Sequence, residues 1–478
     1  MISSYALIYL LAQALPAVIG FLALILYTHL LSPAEYGVYV IGASIAGIIS
    51  AVFFSWIRLA VSRYQAGSPE LDLRGEAVIG YGLTVALIVC LLPAVMLVAR
   101  PDIDFGILAG SLFLSFSTNA FVISQEFQRA RLNPRRFMIT ALIRSILGLA
   151  LGYAVIAFGG GALGLLVATG VSFVFGNFSS FQRDAGRPLR LFHTHYLMRF
   201  IRYGVPFSLG AASFALHGAL DRLGVAYLLG SSAAGYYGLA ADMTRQLIVI
   251  LASSVASAMF PIAFRTFGET GAVATRERLS EGLEFLLALT APVAIWLAIS
   301  AGVVAGTLLG SEYQTRVAAL LPLLAVGRLC GAVNQYYLQV SFQLAEKPLL
   351  QVAHDAIIFV LNFALLFWLT LKFGLLGTAT SVLIAEALGI LIGIWLSRRA
   401  FKLPFNGWGM ARVLAATTIM AMVTYAAKAA LGGHGALALL GMSCGGGVAY
   451  LGSAVLLNVA GVRSMIVPFL SPRGVAAE

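Results

Sequence analysis

Apolar stretches of about 20 residues follow one another along almost the whole chain, with only short polar breaks between them. Fourteen can be delimited, at residues 4–31, 37–60, 77–99, 105–125, 138–158, 162–181, 203–229, 235–264, 283–309, 317–342, 349–371, 375–396, 410–431 and 436–457. At a rise of about 1.5 Å per residue each matches the hydrocarbon thickness of a bilayer. A spanning helix satisfies its own backbone hydrogen bonds where no water can. The pattern therefore predicts an all-α integral membrane protein with about fourteen transmembrane helices.

Composition narrows the reading. Of 478 residues, 60% are hydrophobic and 10% charged, so function must lie in misplaced charge within spans or in short loops. The net charge of +11 would suggest nucleic acid in a soluble protein. Here the basic residues sit between spans, which points to topology and anionic lipid, with no nucleic-acid partner. Cys90, Cys330 and Cys444 fall inside apolar runs without metal-ligand spacing and read as three buried thiols. No metal or other cofactor is implied. The first apolar run is too long for a signal-peptide core, so this span is expected to be retained.

With the N-terminus placed in the cytoplasm, 22 of the 30 Lys and Arg fall on that side, in groups such as Arg129, Arg131, Arg135 and Arg136. Only four, Arg100, Arg316, Lys372 and Lys428, fall on the other, so both termini are expected inside. Arg144, Arg222, Arg245 and Arg328 remain within spans.

Three short matches suggest an internal repeat. LLSPAEYGVY at Leu30–Tyr39 matches LLGSSAAGYY at Leu228–Tyr237, aligning Gly37 with Gly235 and Tyr39 with Tyr237 at an offset of 198. FQRARLNP at Phe127–Pro134 matches FQLAEKP at Phe342–Pro348, and Gly161-x-x-Gly164 matches Gly374-x-x-Gly377. The matches pair spans 1, 4 and 6 with 7, 10 and 12. Six spans is an even number, so the halves have one orientation, as in transporters that bind substrate between parallel repeats. The expected organisation is a six-helix lobe at 1–182, a cytoplasmic linker at 183–202, a second six-helix lobe at 203–397, and two further helices with a cytoplasmic tail at 398–478.

The stretch from Arg202 to Ala240 resembles the start of the second lobe in polysaccharide flippases of the Wzx type. Tyr203-Gly204-x-Pro206, Asp221-Arg222, Leu229-Gly230 and Gly235-x-Tyr237 carry the resemblance, together with LSPAEYGVY and LLGSEYQ at Leu308–Gln314. It implies a member of the multidrug/oligosaccharidyl-lipid/polysaccharide exporter superfamily in the bacterial inner membrane. Such a protein moves an undecaprenyl-pyrophosphate-linked oligosaccharide outward by alternating access, coupled to an ion gradient. The resemblance also implies membrane lipids, a polysaccharide polymerase and export proteins as partners, and pathways such as exopolysaccharide or O-antigen synthesis.

Flipping such a lipid requires a water-filled, cation-lined cleft. An Arg at the centre of a span costs roughly 2.5–3.5 kcal/mol on insertion scales, so it faces a cavity or a partner. Arg328 and Arg245 lie deepest, and their guanidinium forks suit phosphate or carboxylate oxygens. Gln335 and Gln339, at i+7 and i+11 from Arg328, would share its helical face and suit sugar hydroxyls. The alternative for Arg328 is a structural brace, and for Arg245 neutralisation by Asp242 at i−3. Arg222 is a substrate-binding candidate. Its neighbour Asp221 points about 100° away and has His217 at i−4, either as a titratable unit or as a satisfied pair. Arg144 is also a substrate-binding candidate; it lies nearer a span end, so the alternative is that it snorkels.

Glu386, midway along span 12 with no basic residue at i±3 or i±4, is an ion-coupling candidate alongside Asp221 and Asp242; a neutral structural Glu is the alternative. Asp355, next to His354, reads as interfacial. Ser111, Ser115, Thr118 and Asn119 form a polar face on span 4, suited to helix packing or to substrate. Trp56, Trp408 and Tyr36 read as interfacial anchors. No catalytic constellation appears, so an enzyme is not expected. A drug/cation antiporter or a peptidoglycan lipid precursor flippase of the same superfold is the competing reading.

Overall fold

A computed structural model describes residues 2–67, 72–99, 104–131, 133–181, 193–432 and 435–463, and their side chains except at 2–11, 13, 66–67, 94–99, 178–181, 207, 209–215 and 217. The helices in chain order are α1 (Ile2–Thr28), α2 (Pro33–Ile49), α3 (Ser55–Gly67), α4 (Arg74–Ala99), α5 (Phe105–Ala130), α6 (Pro134–Ala157), α7 (Gly161–Phe181), α8 (Thr194–Leu229), α9 (Ser231–Thr244), α10 (Ile250–Thr270), α11 (Ala272–Leu308), α12 (Ser311–Val333), α13 (Gln339–Leu344), α14 (Pro348–Ser397), α15 (Gly407–Ala430) and α16 (Gly435–Leu456). No strand occurs among the described residues. π-helical turns at Ser50–Phe54, Arg245–Val249 and Asn334–Leu338 join α2 to α3, α9 to α10 and α12 to α13 as continuous rods. Gly374 (φ 59°, ψ −138°) breaks α14 into two helices. The described residues thus form fourteen passes, the number the apolar pattern predicts.

Several helices outrun their apolar spans. α11 begins at Ala272, well before the expected 283, because hydropathy marks only the lipid-embedded part while ion pairs such as Arg278–Glu281 (3.0 Å) sustain helix beyond it. Helix starts follow from local chemistry. Ser32 and Glu35 form a reciprocal capping box around Pro33, and Asn133 caps α6, whose first residue is Pro134.

The repeated motifs take up corresponding local geometry. Phe127–Pro134 and Phe342–Pro348 each end one helix and start the next; just before the proline, Asn133 N donates to Gln128 O and Lys347 N to Phe342 O. Gly161 (φ 54°) and Gly374 (φ 59°) both have the positive φ that glycine reaches without a Cβ penalty. The first two π turns also fall in spans that the repeat pairs, spans 2 and 8.

The chain divides into two compact units, residues 1–238 and 239–478. In the first, α6 packs on α1 and α7, α5 on α2 and α7, and α8 on α2 and α3. Phe54, Ile57, Val61, Ile88, Phe127 and Phe200 form one of its cores. Gly37 of α2 and Gly235 of α9, partners in the repeat, touch: a Cβ on Gly37 would overlap the Ser231 carbonyl and one on Gly235 that of Pro33. In the second unit α11 packs on α10, α12 and α15, α12 on α14, and α15 on α16. A core including Leu283, Leu286, Tyr337, Leu338 and Val340 lies among α10, α11, α13 and the π turn.

Some side chains depart from expectation. Tyr36 is fully buried rather than interfacial, and Trp56 packs where Gly80 and Gly204 lack side chains. Cys90 and Cys444 are exposed on the apolar surface and Cys330 is half-buried, and all three are free. Spans can present small apolar thiols outward to lipid, so an apolar run does not imply burial in protein. Residues 182–192 of the expected linker, the tail from 464 and the His217 side chain lie outside the described set.

Candidate functional site

In the first unit, α6 carries Arg144 inward instead of letting it snorkel. Its guanidinium carbon stands 4.1 Å from the centre of the Phe173 ring of α7, and its buried Nε has no hydrogen-bond partner. Gly176, one turn beyond Phe173, leaves the space that the Arg144 stem occupies. Tyr27 O–H donates to the Gly148 carbonyl at 3.0 Å, bracing α1 on α6. Asp221 is buried and accepts from Tyr237 O–H at 3.1 Å, while adjacent Arg222 is half-buried. On α5, Asn119 Nδ2 donates to Ser50 Oγ (2.8 Å) and to Ser115 O (2.7 Å), and Ser50 and Ser115 share a hydroxyl contact at 3.0 Å. That polar face of span 4 braces the first π turn.

In the second unit, Arg245 opens a π turn with its side chain 55% exposed, and its Nε reaches Asp242 Oδ1 at 3.4 Å. This is the local pairing that the i−3 spacing suggested. Arg328 on α12 is half-buried, with a buried Nε that lacks a hydrogen-bond partner. Gln335 lies in the third π turn and Gln339 just beyond it. A π turn accommodates one extra residue, which rotates the next part of the helix by about 100° relative to an unbroken α-helix. The single stripe expected of Arg328, Gln335 and Gln339 is therefore interrupted. Gln339 Nε2 instead donates to Asp355 Oδ1 (3.0 Å), and its Oε1 accepts from Gln351 (3.3 Å).

Glu386 has a partner that its own helix could not reveal. Asn334 Nδ2 donates to both Glu386 Oε2 (2.7 Å) and Glu386 O (2.8 Å), tying the third π turn to the second half of α14. Gly331 and Gly389 make room, because a Cβ on the first would press on the Glu386 carboxyl and on the second on Asn334 Nδ2. Asn334 was not singled out from the sequence. Its only trace there is a separation of 215 from Asn119, one more than the offset of the repeat prolines, and both asparagines hold π turns.

Outside the spans, Asp72 joins the α3–α4 connection to the end of α5 through Arg74 (2.5 Å) and Arg131 (3.2 Å). Partial burial works to raise its carboxyl, but the hydrogen bonds and charge of Arg74, with Arg131, prevail and hold it below the usual carboxylate range.

A family model described as polysaccharide biosynthesis protein matches residues 26–318. Comparison with curated proteins returns no match. Among solved structures, the chain is similar to a lipid II flippase MurJ in an inward closed conformation, with TM-score 0.72 and 15% identity, over 96% of this chain and 100% of that one. A Vibrio cholerae MATE transporter gives TM-score 0.58 and 18% identity over 83% and 97%. An inward-facing MATE-family multidrug resistance transporter of the MOP superfamily gives 0.56 and 15% over 82% and 98%. At these identities the likeness concerns the fold.

Proposed function

We propose that this chain, which belongs to the family of polysaccharide biosynthesis proteins, flips a polyprenyl-pyrophosphate-linked oligosaccharide from the inner to the outer leaflet of the bacterial inner membrane. The observation that carries the reading is Arg328, a cation within a span whose buried Nε has no protein partner. A guanidinium left this way in the bilayer costs free energy that a pyrophosphate or acidic sugar oxygen would offset through a charge-assisted bond. Arg245 in the same unit, and Arg222 and Arg144 in the first unit, are further candidates to meet the anionic headgroup, with Gln335 offering a donor and an acceptor to sugar hydroxyls; Gln339, held by Asp355 and Gln351, is not among them.

Two six-helix lobes, 1–182 and 203–397, carry out the alternating access, and spans 13 and 14, which are α15 and α16, stand outside the repeat. Both termini face the cytoplasm, in keeping with the basic bias of the loops. Carboxylates at the buried Glu386 and Asp221 and the half-buried Asp242 couple the cycle to an ion gradient. A polysaccharide polymerase and export proteins receive the flipped unit.

A second reading, a peptidoglycan lipid precursor flippase, is favoured by a fold likeness that extends over 96% of the chain. Both substrates are polyprenyl pyrophosphates, so the test compares them. In proteoliposomes, the protein is expected to flip a fluorescent polyprenyl-pyrophosphate oligosaccharide faster than lipid II. Arg328→Ala should slow this by about 10- to 100-fold, the loss of one charged hydrogen bond, and Arg328→Lys should recover part of it. Preference for lipid II would favour the second reading. Wild-type flipping by Arg328→Ala would remove that residue from the site.

A further inference from the structure

His354, in the first half of α14, is fully buried in a slot cut by glycines one turn apart on the second half. Its Nε2 lies 2.9 Å from the Gly389 carbonyl, and a Cβ on Gly393 would come within 2.9 Å of the same nitrogen. A carbonyl can only accept, so Nε2 must carry a hydrogen. In the neutral ring Nδ1 is then a bare lone pair, and it is buried without a hydrogen-bond partner. Asp355 Oδ1, a carboxylate oxygen, lies 3.6 Å from this nitrogen. Two acceptors face one another with no hydrogen between them, which is unfavourable unless a proton enters.

We propose that His354 and Asp355 form a proton-binding pair that holds one proton between Nδ1 and Oδ1. Asp355 supplies the route, since its side chain is 45% exposed while His354 is sealed. The pair also spans three elements: Nε2 ties it to Gly389 of the second half of α14, and Oδ1 accepts from Gln339 of α13 at 3.0 Å. Gln339 in turn accepts from Gln351. Occupation by a proton converts an acceptor–acceptor contact into a hydrogen bond at the junction of spans 10, 11 and 12.

The surrounding groups leave this role to the pair. α13 brings Gln339 and Phe342 but no titratable side chain. The π turn brings Tyr336 and Tyr337, whose hydroxyl donates in the latter case to Pro404 O. On the second half of α14 the nearest carboxyl is Glu386, three residues before Gly389 and held by Asn334. At the end of that half Lys347 Nζ donates to Arg399 O, and the Arg399 guanidinium lies over the Trp395 ring. A bound proton here would bias the packing of three spans of the proposed flippase, so only the use made of the proton rests on that reading.

The test is histidine-selective 15N NMR of the full chain in lipid nanodiscs over about pH 5 to 8.5, the range in which imidazoles usually titrate. His354→Asn identifies the signals. In the wild type the bare Nδ1 resonance should disappear as pH falls. In Asp355→Asn the side-chain amide can donate to Nδ1 in place of the proton, and the neutral Nε2–H ring should persist. Gln339→Ala removes a donor that stabilises the bare carboxylate, so the proton-bound form should persist to higher pH than in the wild type; this variant keeps the test valid if Asp355→Asn does not fold. A bare Nδ1 throughout the range in the wild type, or a transition unchanged in Asp355→Asn or Gln339→Ala, overturns the proposal. No substrate is needed. A titration as described without flipping would retain the proton site and reject the flippase reading, and flipping without the titration would do the reverse.

Discussion

Replacing Asn334 by alanine removes both hydrogen bonds that tie the third π turn to Glu386. The bond to the carbonyl is a neutral one, worth about 0.5–1.5 kcal/mol; the bond to the carboxyl is worth about 1.5–3 kcal/mol if that group is charged. Polar contacts between helices in membranes average only about 0.6 kcal/mol, because the unfolded chain in lipid also finds partners. The expected cost of Asn334→Ala is therefore about 1.5–3 kcal/mol. Glu386→Gln leaves a carbonyl to accept from Asn334 and removes only the charge, so it should cost less, about 1 kcal/mol. Reversible unfolding of the purified protein in detergent–lipid bicelles, run on both single variants and the double, isolates the pair from Glu386's other neighbours. A coupling energy of about 0.5–1.5 kcal/mol is expected. An Asn334→Ala cost below about 0.5 kcal/mol, or a coupling of zero, would refute the reasoning that this junction joins α12 and α13 to α14.

Gly235→Val should destabilise by about 1–3 kcal/mol or more, since even its Cβ meets the Pro33 carbonyl and neither helix can yield without breaking the Gly37 contact. Gly302→Ala on α11, with open space around it, should be neutral or stabilising by about 0.5–1 kcal/mol; thermal unfolding of the two variants checks the pair. Asp72 should make a small pH-dependent contribution, under about 1 kcal/mol after solvent screening. Its folded value is depressed, so this stability is fully present above the ordinary carboxylate pKa of about 3.9 and is lost as pH falls through the lower folded value. Asp72→Asn should abolish that acid step in a plot of thermal midpoint against pH, and an unchanged step would assign it to another group.

The sequence by itself determined the class and the number of passes, because a span must be apolar over a bilayer thickness whatever it packs against. Helix starts rest on residues a few positions apart, as the structure shows for Ser32 with Glu35 and Asn133 with Pro134, and the matched glycines Gly161 and Gly374 stand where φ is positive. Helix ends were less legible at α11, where charged side chains continue a helix that hydropathy stops counting. Among site residues, the pairing of Arg245 with Asp242 was readable because both lie on one helix, three residues apart. Only the tertiary structure decided the rest. The π turn at Asn334–Leu338 is a one-residue change in helical phase that no residue type announces, and it separates Gln339 from the face assigned to Arg328. Asn334 meets Glu386 across 52 residues, and Arg144 meets Phe173 on a neighbouring helix instead of reaching for the membrane surface. Such partners come from different helices, and helix periodicity specifies which residues share a face but not which face another helix presents to them.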